Sequence, residues 1–77
     1  MKAIITEHLV RKTRTGRTSV IVKIESKKEE IVNVVNDFIA ERAGRQNFIP
    51  VEKFEVKVYD YKNRVVNQWE YKPTYRA

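Results

Sequence analysis

The chain is 77 residues long, 42% hydrophobic and 34% charged, with two glycines, two prolines and no cysteine. That composition excludes a disordered tail, a disulfide-stapled scaffold and a thiolate metal site, and it predicts one folded domain over residues 1–77 in a reducing compartment. Sixteen basic residues against ten acidic ones give a net charge of +6, which draws anionic partners by long-range attraction and says nothing of fold.

The first ten residues, MKAIITEHLV, hold one lysine and a short apolar stretch broken at Thr6 and Glu7. They lack the apolar region of a signal peptide, and no window is long enough to span a membrane, so the expectation is a soluble, cytoplasmic protein. Residues 3–10 and 18–25 are rich in Ile, Val and Thr, which predicts a first β-hairpin over 1–25. Between them, RKTRTGR (11–17) places Arg11, Lys12, Arg14 and Arg17 within seven residues and no acid among them. Arg14-Thr15-Gly16 suits a three-residue loop with glycine at the left-handed position. That loop sets a register in which Leu9 faces Ile21 and Glu7 faces Lys23 on one side of the hairpin, while Val10, His8 and Thr6 face Val20, Val22 and Ile24 on the other.

Ser26-Lys27-Lys28-Glu29 is a capping-box pattern, in which the serine hydroxyl and the glutamate each satisfy a free backbone N–H at a helix start. Ile31, Val34, Val35, Phe38 and Ile39 follow with helical spacing, and Gly44 stands where the last turn closes, so a helix is predicted over 26–43. Residues 44–52 then form a loop in which Phe48 and Ile49 dock on the core ahead of Pro50. Phe54, Val56 and Val58 alternate with Lys53, Glu55, Lys57 and Tyr59 as in a half-buried strand. Lys62-Asn63 suits a two-residue turn, RVVNQWEY supplies a fourth strand, and a second hairpin over 53–72 is followed by a flexible tail at 73–77. The fold class expected is α+β: a β-β-α-β-β chain with a four-stranded, mainly antiparallel sheet and one helix packed on one face.

Charge is sorted by element. Residues 1–25 carry six basic and two acidic side chains, 26–43 carry three and four, and 44–77 carry seven and four, so the positive charge belongs to strands and turns. With the two-residue turn, Tyr61 faces Arg64, Tyr59 faces Val66, Lys57 faces Gln68 and Lys53 faces Lys72, all opposite the face of Phe54, Val56, Val58 and a core Trp69. Two tyrosines among cations on one sheet face suit a single-stranded nucleic acid, with rings stacking on bases and Lys or Arg holding phosphates. Glu55 opposite Glu70 weighs against that arrangement, and exposed strand tyrosines are also common for β-propensity alone. Ile5, Leu9, Ile21 and Val66 are expected on the side away from the helix, where exposed apolar groups mark a protein–protein surface or a face-to-face homodimer.

No catalytic constellation is present. His8 is the one histidine, and its neighbour Glu7 points to the opposite face of a strand. There is no Cys/His ligand set, glycine-rich phosphate loop, nucleophile elbow or zinc-protease motif. Glu25, Glu29 and Glu30 bracket a helix start, where carboxylates favour the positive dipole end. The chain is expected to be no enzyme, with no cofactor and no metal.

In size, lack of cysteine and hairpin-helix-hairpin layout, the chain resembles the small accessory proteins of bacteriophages, including inhibitors of host or defence enzymes such as CRISPR nucleases and ribonuclease toxins. The resemblance is one of genre, carried by no single residue, and it implies a binding protein that blocks or co-opts a nucleic-acid machine. The glycine-aromatic motifs of four-stranded RNA-binding sheets are missing. Three functions follow as expectations. The first is a basic nucleic-acid-binding protein, for RNA or single strands, using Arg11, Lys12, Arg14, Arg17, Lys53, Lys57, Tyr59, Tyr61, Arg64 and Lys72. The second is an inhibitor or adaptor that binds a protein, through an anionic groove or through Ile5, Leu9, Ile21 and Val66. The third is a structural homodimer.

Overall fold

The computed structural model describes residues 1–44 and 50–73. Four strands and one helix follow in the order β1 (Lys2–Leu9), β2 (Ser19–Glu25), α1 (Ile31–Gly44), β3 (Val51–Tyr59) and β4 (Val65–Tyr71). They form the expected α+β architecture: one open sheet of order β2-β1-β3-β4, antiparallel at every junction, with the helix on one face. Because β2 and β3 both run antiparallel to β1, the helix between them carries the chain across β1. The expected docking of Phe48 and Ile49 and the expected tail beyond Pro73 lie outside the described residues.

The core is built by alternation on the two central strands. Ala3, Ile5, Glu7 and Leu9 of β1 point toward the helix beside Val58, Val56, Phe54 and Val51 of β3. Ile31, Val35 and Ile39 close over them from α1 at i, i+4, i+8 spacing. Val20, Val22 and Ile24 of β2 pack against the cluster while remaining partly exposed.

The first hairpin departs from the expected register, and the departure changes which side chains are buried. Ile5 pairs with Val22 and Glu7 with Val20, a displacement of three residues, and an odd displacement moves every β1 side chain to the other face. The cause is the length of the connection. The Leu9 N–H still donates to the Thr18 carbonyl (2.9 Å), but the Val10 N–H turns away to the Pro50 carbonyl at the head of β3 (3.0 Å). Nine residues, 10–18, therefore join the strands where three were expected. Ile5 (0% exposed) and Leu9 (8%) are core residues beneath the helix, not members of an open apolar face; Ile21, at 69% exposed, is on that face.

The helix also starts later than the capping box predicts. The Ser26 N–H donates to the Met1 carbonyl and the Ser26 carbonyl accepts from the Met1 amino group (3.0 and 2.9 Å), so Ser26 closes the end of the sheet. A turn at 28–30 follows, in which the Glu30 and Ile31 N–H groups both donate to the Lys27 carbonyl.

In the second hairpin Lys57↔Gln68 and Glu55↔Glu70 pair as expected. The turn itself has three residues, Tyr61–Asn63, with Asn63 at φ 61° in the left-handed region, a place asparagine tolerates well. The register slips between Val58 and Tyr59, so Tyr59 pairs with Val65 and Val66 is the extra residue. Val66 thereby joins Ile31, Val32 and Val58 around a hollow on the helix side, not the open face on which it was expected.

Candidate nucleic-acid interface

The basic segment is an ordered small loop built around Thr13. The Thr13 N–H donates to the Arg17 carbonyl (2.9 Å), the Gly16 N–H donates to the Thr13 carbonyl (2.9 Å), and the Arg17 N–H donates to Thr13 Oγ1 (3.0 Å). Thr13 and Thr15 hydroxyls lie 3.1 Å apart. Gly16 has φ 83°, which a residue without Cβ adopts without strain. Thr13 is the one half-buried member of a segment whose other residues are exposed.

Arg11, Lys12, Arg14 and Arg17 all project into solvent. Among the described residues no carboxylate pairs with any of them. Each remains able to meet a phosphate, arginine through its planar fork and lysine as a point charge.

The topology decides what shares this end of the molecule. The loop follows the carboxyl end of β1, which lies beside the head of β3 and the far end of β4, so Lys53 and Lys72 belong to the same end, around a shallow recess with His8 and Glu52. Lys57, Tyr59, Tyr61 and Arg64 lie toward the opposite end. The ten residues singled out in the sequence thus divide into a group of six and a group of four.

Two of the four distant residues, Tyr59 and Arg64, also have other work. The Lys2 ammonium lies 5.7 Å from the Tyr59 ring centroid. Arg64 Nε donates to Asp60 Oδ2 (3.0 Å), and Asp60 Oδ1 accepts from the Lys62 and Arg64 backbone N–H groups. Those backbone bonds, the Arg64 one foremost, hold the Asp60 carboxyl below its usual range. Tyr61 is 86% exposed at the tip of its turn.

Between the two groups the open face carries an acid-containing network. Glu55 accepts from Lys53 Nζ at 3.0 Å and lies 3.4 Å from His8 Nε2; Lys53 Nζ is also 4.0 Å from Glu70. The hydrogen bond from Lys53, then the adjacent His8 imidazole, pulls the Glu55 carboxyl down, and the bond to Glu55 raises Lys53. A phosphate track along this face would have to cross Glu55 and Glu70, so the loop end is the better anion site.

Two features escaped the sequence. Glu7, the one buried charged residue described, meets Arg42 Nε at 3.1 Å across the helix–sheet junction. Its signal was a carboxylate within an apolar alternation. A groove of about 610 Å³ between α1 and β4 is lined by Val32, Ile39, Ala40, Trp69 and Tyr71. Its signal was width: one helix is about 10 Å across, while four strands about 4.8 Å apart present a broader sheet.

Among the described residues no group of His, Cys, Asp or Glu is placed to hold a metal ion, and no helix is long and apolar enough to cross a membrane. No protein-family model, curated protein or solved structure matches the chain.

Proposed function

We propose that this is a small nucleic-acid-binding protein, acting in the cytoplasm, that grips the phosphate backbone of RNA or another single strand with the β1–β2 loop. The observation that carries this is four exposed cations on a loop pinned through Thr13, with no carboxylate partner among the described residues. Lys72 lies at the same end, where Lys53 is taken up by Glu55. A duplex major-groove reader is disfavoured, because the solvent side of α1 presents Asn33, Asn36, Asp37 and Glu41 rather than cations. Backbone contacts of this kind position without reading sequence, so binding should vary little between sequences.

The test is fluorescence anisotropy of labelled single-stranded RNA, single-stranded DNA and duplex DNA titrated with the protein. The expected result is stronger binding to the single strands, lost in a variant with Arg11, Lys12, Arg14 and Arg17 all changed to alanine. Absence of binding at low salt, or binding unaffected by the four substitutions, contradicts the proposal.

A second function, an adaptor or inhibitor docking on a protein, is favoured by one observation: Val65, Val66 and Tyr71 of β4 are about half exposed. On that function a partner is retained at high salt and by the four-alanine variant.

A further inference from the structure

His8 is the chain's only histidine. It stands near the carboxyl end of β1, three residues before Arg11, the first cation of the basic loop. Its neighbours on the open face come from every other strand of the sheet. β2 presents Ser19 opposite it and Ile21 diagonally, neither of them charged, and Thr6 precedes it on β1. β3 presents Lys53 opposite it and Glu55 diagonally, and beyond them stand Glu70 and Lys72. Glu52 shares the recess that His8, Lys53 and Lys72 line. Among these described groups, two lysines against three glutamates leave the cluster one negative charge, beside a loop that holds cations only.

One oxygen joins the two halves of this cluster. Glu55 Oε1 accepts from Lys53 Nζ at 3.0 Å and lies 3.4 Å from His8 Nε2, which is enclosed and has no hydrogen-bond partner. A neutral imidazole can carry its single proton on the other nitrogen, but an imidazolium has an N–H on both. Protonation therefore sets a charged donor against the oxygen that Lys53 holds, and such charge-assisted bonds are strong. Glu55 stays ionised meanwhile, because the Lys53 bond holds its carboxyl below the usual range.

We propose that His8 is a proton-operated release for Lys53: the protonated ring takes over Glu55, and the Lys53 ammonium turns to the phosphate that the loop holds. The inference rests on the nucleic-acid reading above and concerns the regulation of that same site. His8 is a positioning residue, since its enclosed Nε2 faces Glu55 and acts on the strand only through Lys53. The proton also cancels the cluster's surplus negative charge. The coupling is reciprocal: a bound strand that draws Lys53 from Glu55 tightens the hold of His8 on its proton.

The experiment is fluorescence anisotropy at fixed low salt with a labelled oligouridine, which has no group titrating in the range used, from about pH 8 to about pH 5.5, where imidazoles change charge. The protein is compared with His8→Gln and Lys53→Ala. Both positions are half-buried on the open face, outside the core cluster, and circular dichroism checks each fold. The Met1 amino group, which titrates at the upper end of the range, is common to all three. The expected result is an affinity that rises several-fold as pH falls in the protein and stays nearly constant in both variants. Equal affinity of the protein at the two pH limits overturns the inference and leaves the loop's grip on phosphate standing. A rise undiminished in His8→Gln or in Lys53→Ala overturns it equally. No binding at any pH overturns the nucleic-acid reading and this inference with it.

Discussion

At the scale of single residues, the Glu7–Arg42 pair is the feature with the largest consequences. Glu7 is 2% exposed, and the side chain of Arg42 is 18% exposed, so removing the guanidinium strands a carboxylate in the helix–sheet junction. Arg42→Ala should cost on the order of 3 kcal/mol in urea denaturation, whereas replacing both residues by leucine should cost far less. Burial holds the Glu7 carboxyl above its usual value of 4.5, with Arg42 pulling it back in part. A carboxyl raised by folding stabilises the fold fully below 4.5 and loses that contribution as pH rises through its folded value. Glu55 and Asp60 are lowered, so their contributions are present at neutral pH and vanish as pH falls through their folded values. Denaturation midpoints against pH should therefore lose their decline above pH 4.5 in Glu7→Gln while keeping the loss in acid. Glu7 was legible as a charge but not as a buried one, because that depended on which face of β1 met the helix.

At the scale of elements, the two hairpins show why one register was readable and the other was not. In the second, Asp60 caps the turn with its own carboxylate and the left-handed Asn63 closes it; the turn is one residue longer than expected, and the extra residue Val66 offsets it, so the central pairs fall where expected. In the first, the Arg14-Thr15-Gly16 turn forms as expected, with Thr13 bonded to Arg17 and Gly16 in the left-handed region, yet the chain spends Val10 on Pro50 and residues 10–12 drop out of the strand pairing. A tertiary hydrogen bond decided the register, and no local pattern reports one. The helix periodicity located Ile31, Val35 and Ile39 correctly, while the serine read as its cap is bound to Met1. The loop geometry makes its own prediction. Thr13→Val keeps every charge but removes the acceptor of the Arg17 N–H, so nucleic-acid affinity should fall several-fold at low salt while its dependence on salt stays the same. An equal affinity would mean that the cations act without the loop's shape. At the other turn, Asn63→Val places a branched side chain at φ 61° and should cost about 1–2 kcal/mol in thermal denaturation.

At the scale of the molecule, a thin domain of 39 × 24 × 16 Å has its basic loop at one end and its apolar border along one side. The net charge was legible from composition, but its division between the two ends depends on the antiparallel topology, which sets the β1–β2 loop beside Lys53 and Lys72 and separates it from Tyr59, Tyr61 and Arg64. The polar face imagined as one surface is divided by Glu55 and Glu70, a division the opposed glutamates already hinted at in the sequence. The account stands on the loop as a phosphate clamp, and counterion release tests it most directly. The measurement is the slope of log affinity for a single-stranded RNA against log salt concentration, for the protein and for the variant with Arg11, Lys12, Arg14 and Arg17 changed to alanine. Each lost phosphate contact on a single strand should lower the slope's magnitude by about 0.7, so four lost contacts predict a reduction of about 3. Equal slopes for the two proteins would contradict the account, because the cations of RKTRTGR would then be solvated charges that no phosphate meets.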